Sequence, residues 1–136
     1  MIARDGLPVI LPLHPRTRNR LKALGLALNS LTLIKPVSYL DMLLLEKQAT
    51  LILTDSGGVQ KEAFFFQVPC VTLRNETEWV ELVENGFNIL AGAKMDRIIN
   101  AYKVMKNRRI DFNAHIYGDG QVSKRIIEKI LAVKER

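Results

Sequence analysis

Apolar and polar positions fall in blocks along the chain, and the period changes from block to block. LPVILPL at 7–13 is a short apolar run, and RTRNRLKALGL after it puts Leu21, Leu24 and Leu28 at helical spacing. LTLI at 31–34 reads as a strand closed by Pro36, and SYLDMLLLEKQA at 38–49 as a helix with Ser38 at its N-cap. TLILT at 50–54 is continuously apolar, which predicts a fully buried strand. A helix over GGVQKEAFFFQ, a strand over VPCVTL at 68–73 and a short strand over NIL at 88–90 follow. Two helices finish the chain, one striped by Met95, Ile98, Ile99, Tyr102 and Met105, the other by Val122, Ile126, Ile127, Ile130 and Leu131. Strands alternating with helices predict an α/β fold, a three-layer Rossmann-like domain with a mostly parallel sheet. Phe64, Phe65 and Phe66 are expected in the core, and Cys70 as a buried strand residue rather than a nucleophile.

Composition narrows the class without changing the fold. The 136 residues are one domain's worth of chain, 48% hydrophobic and 25% charged. No stretch approaches the roughly 20 apolar residues that span a bilayer. The prolines at 8, 12 and 15 break the N-terminal apolar run, so it does not read as a signal peptide. A single cysteine excludes an internal disulfide and fits a reducing compartment, so a cytoplasmic protein without membrane contact is expected. The net charge of +6 gathers at Arg16-Arg18-Arg20-Lys22, at Lys103-Lys106-Arg108-Arg109 and at the C-terminus. It is not interleaved with aromatics as a nucleic-acid surface would be. Solvated helix faces, or attraction of an anionic small substrate, account for it, and no nucleic-acid partner is expected.

The densest chemistry is TDSGGVQKEA, Thr54 to Ala63, where a strand turns into a helix. In α/β sheets ligands bind beyond the carboxyl ends of the strands, and this turn lies at one. The first N–H groups of a helix lack intrahelical partners and carry the positive end of its dipole. Gly57 and Gly58 would let a diphosphate reach those groups, with the Ser56 hydroxyl donating and Glu62, one turn on, accepting from ribose hydroxyls. Equally, Asp55 or Ser56 could do no more than cap the helix. The segment after the next strand, LRNETEWVELVENGFNIL at 73–90, adds Arg74, Thr77, Glu78 and Glu81 at the same edge. That is a cation for a phosphate and carboxylates for sugar hydroxyls, or an ordinary charged loop before a short helix.

TDSGGVQKEA, PCVTLRNETEWVE, NGFNILAG and YGDG, in this order, resemble the non-hydrolysing UDP-N-acetylglucosamine 2-epimerases from about Val9 to the C-terminus. The resemblance is to the C-terminal domain of a two-domain fold shared with B-type glycosyltransferases. It implies that residues 1–136 form a single, partial UDP-binding domain with a UDP-sugar as partner and no cofactor or metal. Ser56, Gly57 and Gly58 match the family's diphosphate-binding turn and Glu62 its ribose-binding glutamate. Arg74, Thr77 and Glu78 match the arginine and threonine-glutamate pair near the nucleotide cleft, and Tyr39 and Leu40 the segment beside the uracil. His14 resembles a histidine that helps bind a regulatory UDP-sugar in bacterial members. Read from its own position, His14 is equally a strand-end residue capping the helix from Arg16. Trp79-Val80 stands where many members have Arg-Pro, a variant that also resembles relatives acting on diacetamido-uronic acid sugars. Gly118 and Gly120 of YGDG permit a positive-φ turn, with Asp119 capping the last helix.

The reaction implied inverts carbon 2 of the sugar by eliminating UDP to a 2-acetamidoglucal and adding it back. It needs a base and an acid. In the family these lie on an N-terminal domain that has no counterpart here, so no catalytic residue is assigned and the chain alone is expected to be inactive. The chain begins inside what resembles the domain's second strand. Loss of a central strand and helix should expose apolar surface for a missing N-terminal half or a homo-oligomer. A B-type glycosyltransferase domain and a non-catalytic UDP-sugar binding module are the alternatives.

Overall fold

A computed structural model describes residues 2–134 of the chain. After a 3-10 turn at Ile2–Arg4 come β1 (Ile10–Pro12), α1 (Pro15–Ala23), β2 (Thr32–Ile34), α2 (Tyr39–Gln48) and β3 (Ile52–Thr54). Then follow α3 (Gly57–Phe65), β4 (Cys70–Thr72), α4 (Val80–Glu84), β5 (Asn88–Leu90), α5 (Met95–Asn107) and α6 (Val122–Lys134). The caps follow local chemistry. The Ser38 hydroxyl accepts the Asp41 N–H at 3.2 Å, and His14 Nδ1 accepts the Arg16 N–H at 3.2 Å ahead of Pro15. Asp119 Oδ1 accepts the Gln121 N–H at 3.1 Å, between Gly118 (φ 80°) and Gly120 (φ 75°).

Every strand pairing is parallel, but the sheet is in two pieces. Among the described residues β1 pairs only with β2, while β3, β4 and β5 form a second sheet in that order. A doubly wound sheet places its first strand in the middle and the later ones outward on both sides. β2-β1 and β3-β4-β5 have the order and polarity of its two wings. α2 packs on α3, and the Tyr102 hydroxyl and Lys106 Nζ reach Asp5 Oδ2 at 2.8 and 2.6 Å, so the pieces are tied through helices.

Alternation along β3–β5 sets the layers. Ile52 and Cys70 face α3 with Ala63 and Val68, whereas Val71 and Ala91 face α5 with Ala101 and Met105. A third cluster joins Phe64, Leu82 and Phe87. Two expectations need correction. β3 is not fully buried: Leu53 is half-buried, because β3 is the edge of its own sheet. Of the three phenylalanines, Phe65 is 59% exposed, since successive helical residues point about 100° apart and three cannot share one face. α1 buries no residue, and the apolar stripe of α6 is exposed, including Ile126, Ile127 and Ile130.

Candidate functional site

Parallel pairing brings the carboxyl ends of the strands in each sheet to one edge. His14 follows β1, Tyr39 and Leu40 follow β2, Ser56–Gly58 follow β3, and Arg74–Glu78 follow β4. The turn after β3 is set by the Thr54 hydroxyl, which accepts the Ser56 N–H at 3.0 Å. Ser56 occupies the N-cap of α3 with extended backbone, yet its side chain makes no capping bond. The simple capping role is therefore not the one its hydroxyl plays, and the first amides of α3 keep their unmet donors.

The two glycines differ. A Cβ on Gly58 would meet only Ser56 Oγ, at 3.9 Å, so the helix end is open there. A Cβ on Gly57 would stand 2.5 Å from Glu78 Oε1. Neither glycine needs positive φ; Gly57 is required by the close approach of Glu78, whereas Gly58 leaves open space at the helix end. The Glu78 carboxylate over Gly57 is paired with Arg74, Nη1 to Oε2 at 3.0 Å. The pair is largely exposed and worth about 0–1 kcal/mol, so Arg74 can exchange a carboxylate for a phosphate at little cost.

Beneath the turn lies a buried polar network. Gln60 Oε1 accepts from the Thr77 hydroxyl at 2.7 Å and from Asn88 Nδ2 at 3.1 Å. Asn88 Oδ1 in turn accepts from the Thr72 hydroxyl at 3.0 Å, and Gln60 Nε2 donates to the Ser56 carbonyl at 3.3 Å. The Trp79 indole N–H donates to the Gly57 carbonyl at 2.8 Å, and Lys61 Nζ sits 4.4 and 4.3 Å from the Trp79 and Tyr117 ring centres. Gln60, Thr72 and Asn88 were not picked out by sequence reasoning. Their signal was polarity at positions that the α3 and strand patterns assign to the interior.

Glu62, half-buried one turn beyond Gly58, accepts the Tyr39 hydroxyl at 3.2 Å, which joins α2 to α3. That bond, and the charge behind it, raise the Tyr39 pKa. Tyr39 is 66% and Leu40 71% exposed, an open apolar shelf. The structure thus brings Ser56, Gly57, Gly58, Arg74, Thr77 and Glu78 together, with Glu62 further along α3 and Tyr39 bonded to it from α2. The His14 side chain is used to cap α1. Burial pushes the Cys70 thiol up to about 12, which leaves it unreactive. Among the described residues no three His, Cys, Asp or Glu side chains are grouped to hold a metal ion, and no helix is long and apolar enough to cross a membrane.

The family model described as UDP-N-acetylglucosamine 2-epimerase matches residues 1–131. The chain is 53% identical over 121 residues to the UDP-2,3-diacetamido-2,3-dideoxy-D-glucuronate 2-epimerase of Pseudomonas aeruginosa, covering 89% of this chain and 34% of that protein. It is 44% identical over 124 residues to the UDP-N-acetylglucosamine 2-epimerase of Methanocaldococcus jannaschii, covering 88% of this chain and 34% of that one. The crystal structure of the latter enzyme with UDP-GlcNAc and UDP superposes with a TM-score of 0.80 at 42% identity, over 96% of this chain and 37% of the other. The chain spans about a third of the length of the curated relatives it matches.

Proposed function

The chain belongs to the UDP-N-acetylglucosamine 2-epimerase family, and from that premise we propose that it is the UDP-binding half of an epimerase interconverting UDP-N-acetylglucosamine and UDP-N-acetylmannosamine. The observation that carries this is the open N-terminus of α3 at Gly58, with an uncommitted Ser56 hydroxyl and Arg74 beside it. A diphosphate there takes the free amides, the hydroxyl and the guanidinium, and the helix dipole favours its charge. Glu62 accepts the ribose hydroxyls, and the Tyr39–Leu40 shelf takes the uracil. In elimination the leaving group is UDP, so these same groups stabilise the charge that departs and hold it for re-addition. The base and acid that move the carbon 2 proton come from polypeptide beyond these residues, which also completes the divided sheet.

Isothermal titration with UDP tests the site. Ser56→Ala combined with Glu62→Ala removes two bonds to charged or sugar groups, each worth about 1.5–3 kcal/mol at most. Affinity is expected to fall at least about tenfold, at about 1.4 kcal/mol per decade. Unchanged affinity would defeat the assignment. The higher identity to the Pseudomonas aeruginosa enzyme, together with Trp79, favours a diacetamido-uronic acid sugar as a second reading of the substrate. Titrating both UDP-sugars alongside UDP separates the two.

A further inference from the structure

Helix α2 is inverted relative to its composition. Leu40 and Leu44 are exposed, while the residue it buries is an acid, Glu46, 2% exposed. Neither Glu46 carboxyl oxygen has a hydrogen-bond partner among the described residues. A buried, unpaired carboxylate costs several kcal/mol, so such a group keeps its proton or finds a counter-ion.

What faces Glu46 decides between these. Tyr39 lies two turns earlier on the same face of α2 and bonds Glu62, so this face looks onto α3. Glu62 brings a negative charge to bear on Glu46. Cys70 on β4 lies close enough for its thiol to feel the Glu46 charge, and is itself neutral. None of these is a cation. Burial first, and then the Glu62 carboxylate, raise the Glu46 carboxyl from 4.5 to about 7. Once protonated, Glu46 is a donor whose acceptor is Glu62.

We propose that Glu46 is a positioning residue for the nucleotide site: it carries a proton that it shares with Glu62, so that binding of a UDP-sugar is linked to one buried proton. The inference rests on the reading of Glu62 as the ribose acceptor. With the proton in place the pair carries one negative charge. Glu62 then receives bonds from Tyr39 and Glu46 and keeps lone pairs for the ribose. Without it, two carboxylates face each other across the α2–α3 seam, and their repulsion displaces the one that can move, half-exposed Glu62.

The test is titration of the full chain with UDP-N-acetylglucosamine, whose diphosphate diester does not titrate between pH 6.0 and 8.5. Wild-type affinity is expected to fall as pH rises through about 7, approaching about tenfold per pH unit beyond it. Glu46→Gln keeps a donor of the same shape that cannot ionise, and is expected to hold the low-pH affinity throughout. Glu46→Leu, with no donor, should bind weakly at every pH. Wild-type affinity independent of pH, or a Glu46→Gln variant that binds as poorly as Glu46→Leu, overturns the proposal. Carboxyl-carbon NMR of the unliganded chain reads the proton without nucleotide, the Glu46 resonance being the one lost in Glu46→Gln. A resonance titrating near 7 supports the shared proton even if UDP-N-acetylglucosamine binds at no pH, an outcome that would remove only the nucleotide reading. One titrating in the ordinary carboxylate range overturns the inference alone.

Discussion

At the residue scale, Gly58 separates what the fold needs from what the site needs. It lies in the first turn of α3 without positive φ, and a methyl there would meet only Ser56 Oγ at 3.9 Å. For the fold alone, alanine is the better choice, by up to about 1 kcal/mol in helix propensity and unfolded-state entropy. The same methyl would stand at the helix end where the proposed site takes a phosphate. Gly58→Ala is therefore expected to raise the melting temperature slightly while weakening UDP at least about tenfold, or about 1.4 kcal/mol. Calorimetry and titration on one sample check this, and a variant that gains stability and keeps full affinity would place the anion elsewhere. Gly57→Ala is not the equivalent test, since its methyl would strike Glu78 and confound packing with binding. The turn was legible in the sequence because glycines, hydroxyl and strand end are adjacent in the chain. Glu46 was not: its environment is made by α3 and β4, and nothing in MLLLEKQ indicates that the acid turns inward.

At the scale of elements, each helix and strand that the periodicity predicts has a counterpart, because short parallel strands and amphipathic helices declare themselves within a few residues, although the helix read through Leu24 and Leu28 ends at Ala23. What holds the elements in register was harder to read. Gln60 on α3 ties Thr77 after β4, Asn88 on β5 and the Ser56 carbonyl to a single side chain that is almost fully buried. Its two side-chain partners are 17 and 28 residues away, beyond any local motif. Gln60→Leu keeps the volume and strands two side-chain partners, buried Asn88 and part-buried Thr77, at about 1–3 kcal/mol each. The expected result is a clearly lowered denaturation midpoint with an unchanged m-value, and a weaker UDP site, since Thr77 loses its anchor. A midpoint equal to wild type would mean that water replaces the amide and that the network does not set the turn. Trp79 is the companion case. Its place in TEW is plain in the sequence, but its bond to the Gly57 carbonyl exists only once α3 and the β4–α4 segment meet.

At the scale of the molecule, the division of the sheet matters most. The Ile52 N–H is bonded to Pro69 and the Leu13 N–H to Ile34, so strand alternation turns the Leu53 and Ile10 amides to edges without a strand partner. Open parallel edges flanked by exposed apolar residues such as Ile10 and Leu33 are templates for another strand. The wings β2-β1 and β3-β4-β5 leave one position between them in the doubly wound order. The sequence already implied this gap through the family resemblance, but not that the chain would keep both wings apart rather than close them on each other. Amide exchange reads the consequence residue by residue. In the chain alone, Leu53 and Ile10 are expected to exchange at least about a hundredfold faster than Val71 at the sheet centre, a local opening cost lower by about 2.7 kcal/mol. Co-expression with the part of the Methanocaldococcus jannaschii enzyme that lies outside the matched region should protect both together, since one inserted strand bonds both edges. Protection of Leu53 and Ile10 without any added chain, accompanied by a dimer mass in light scattering, would show instead that a second copy fills the edges.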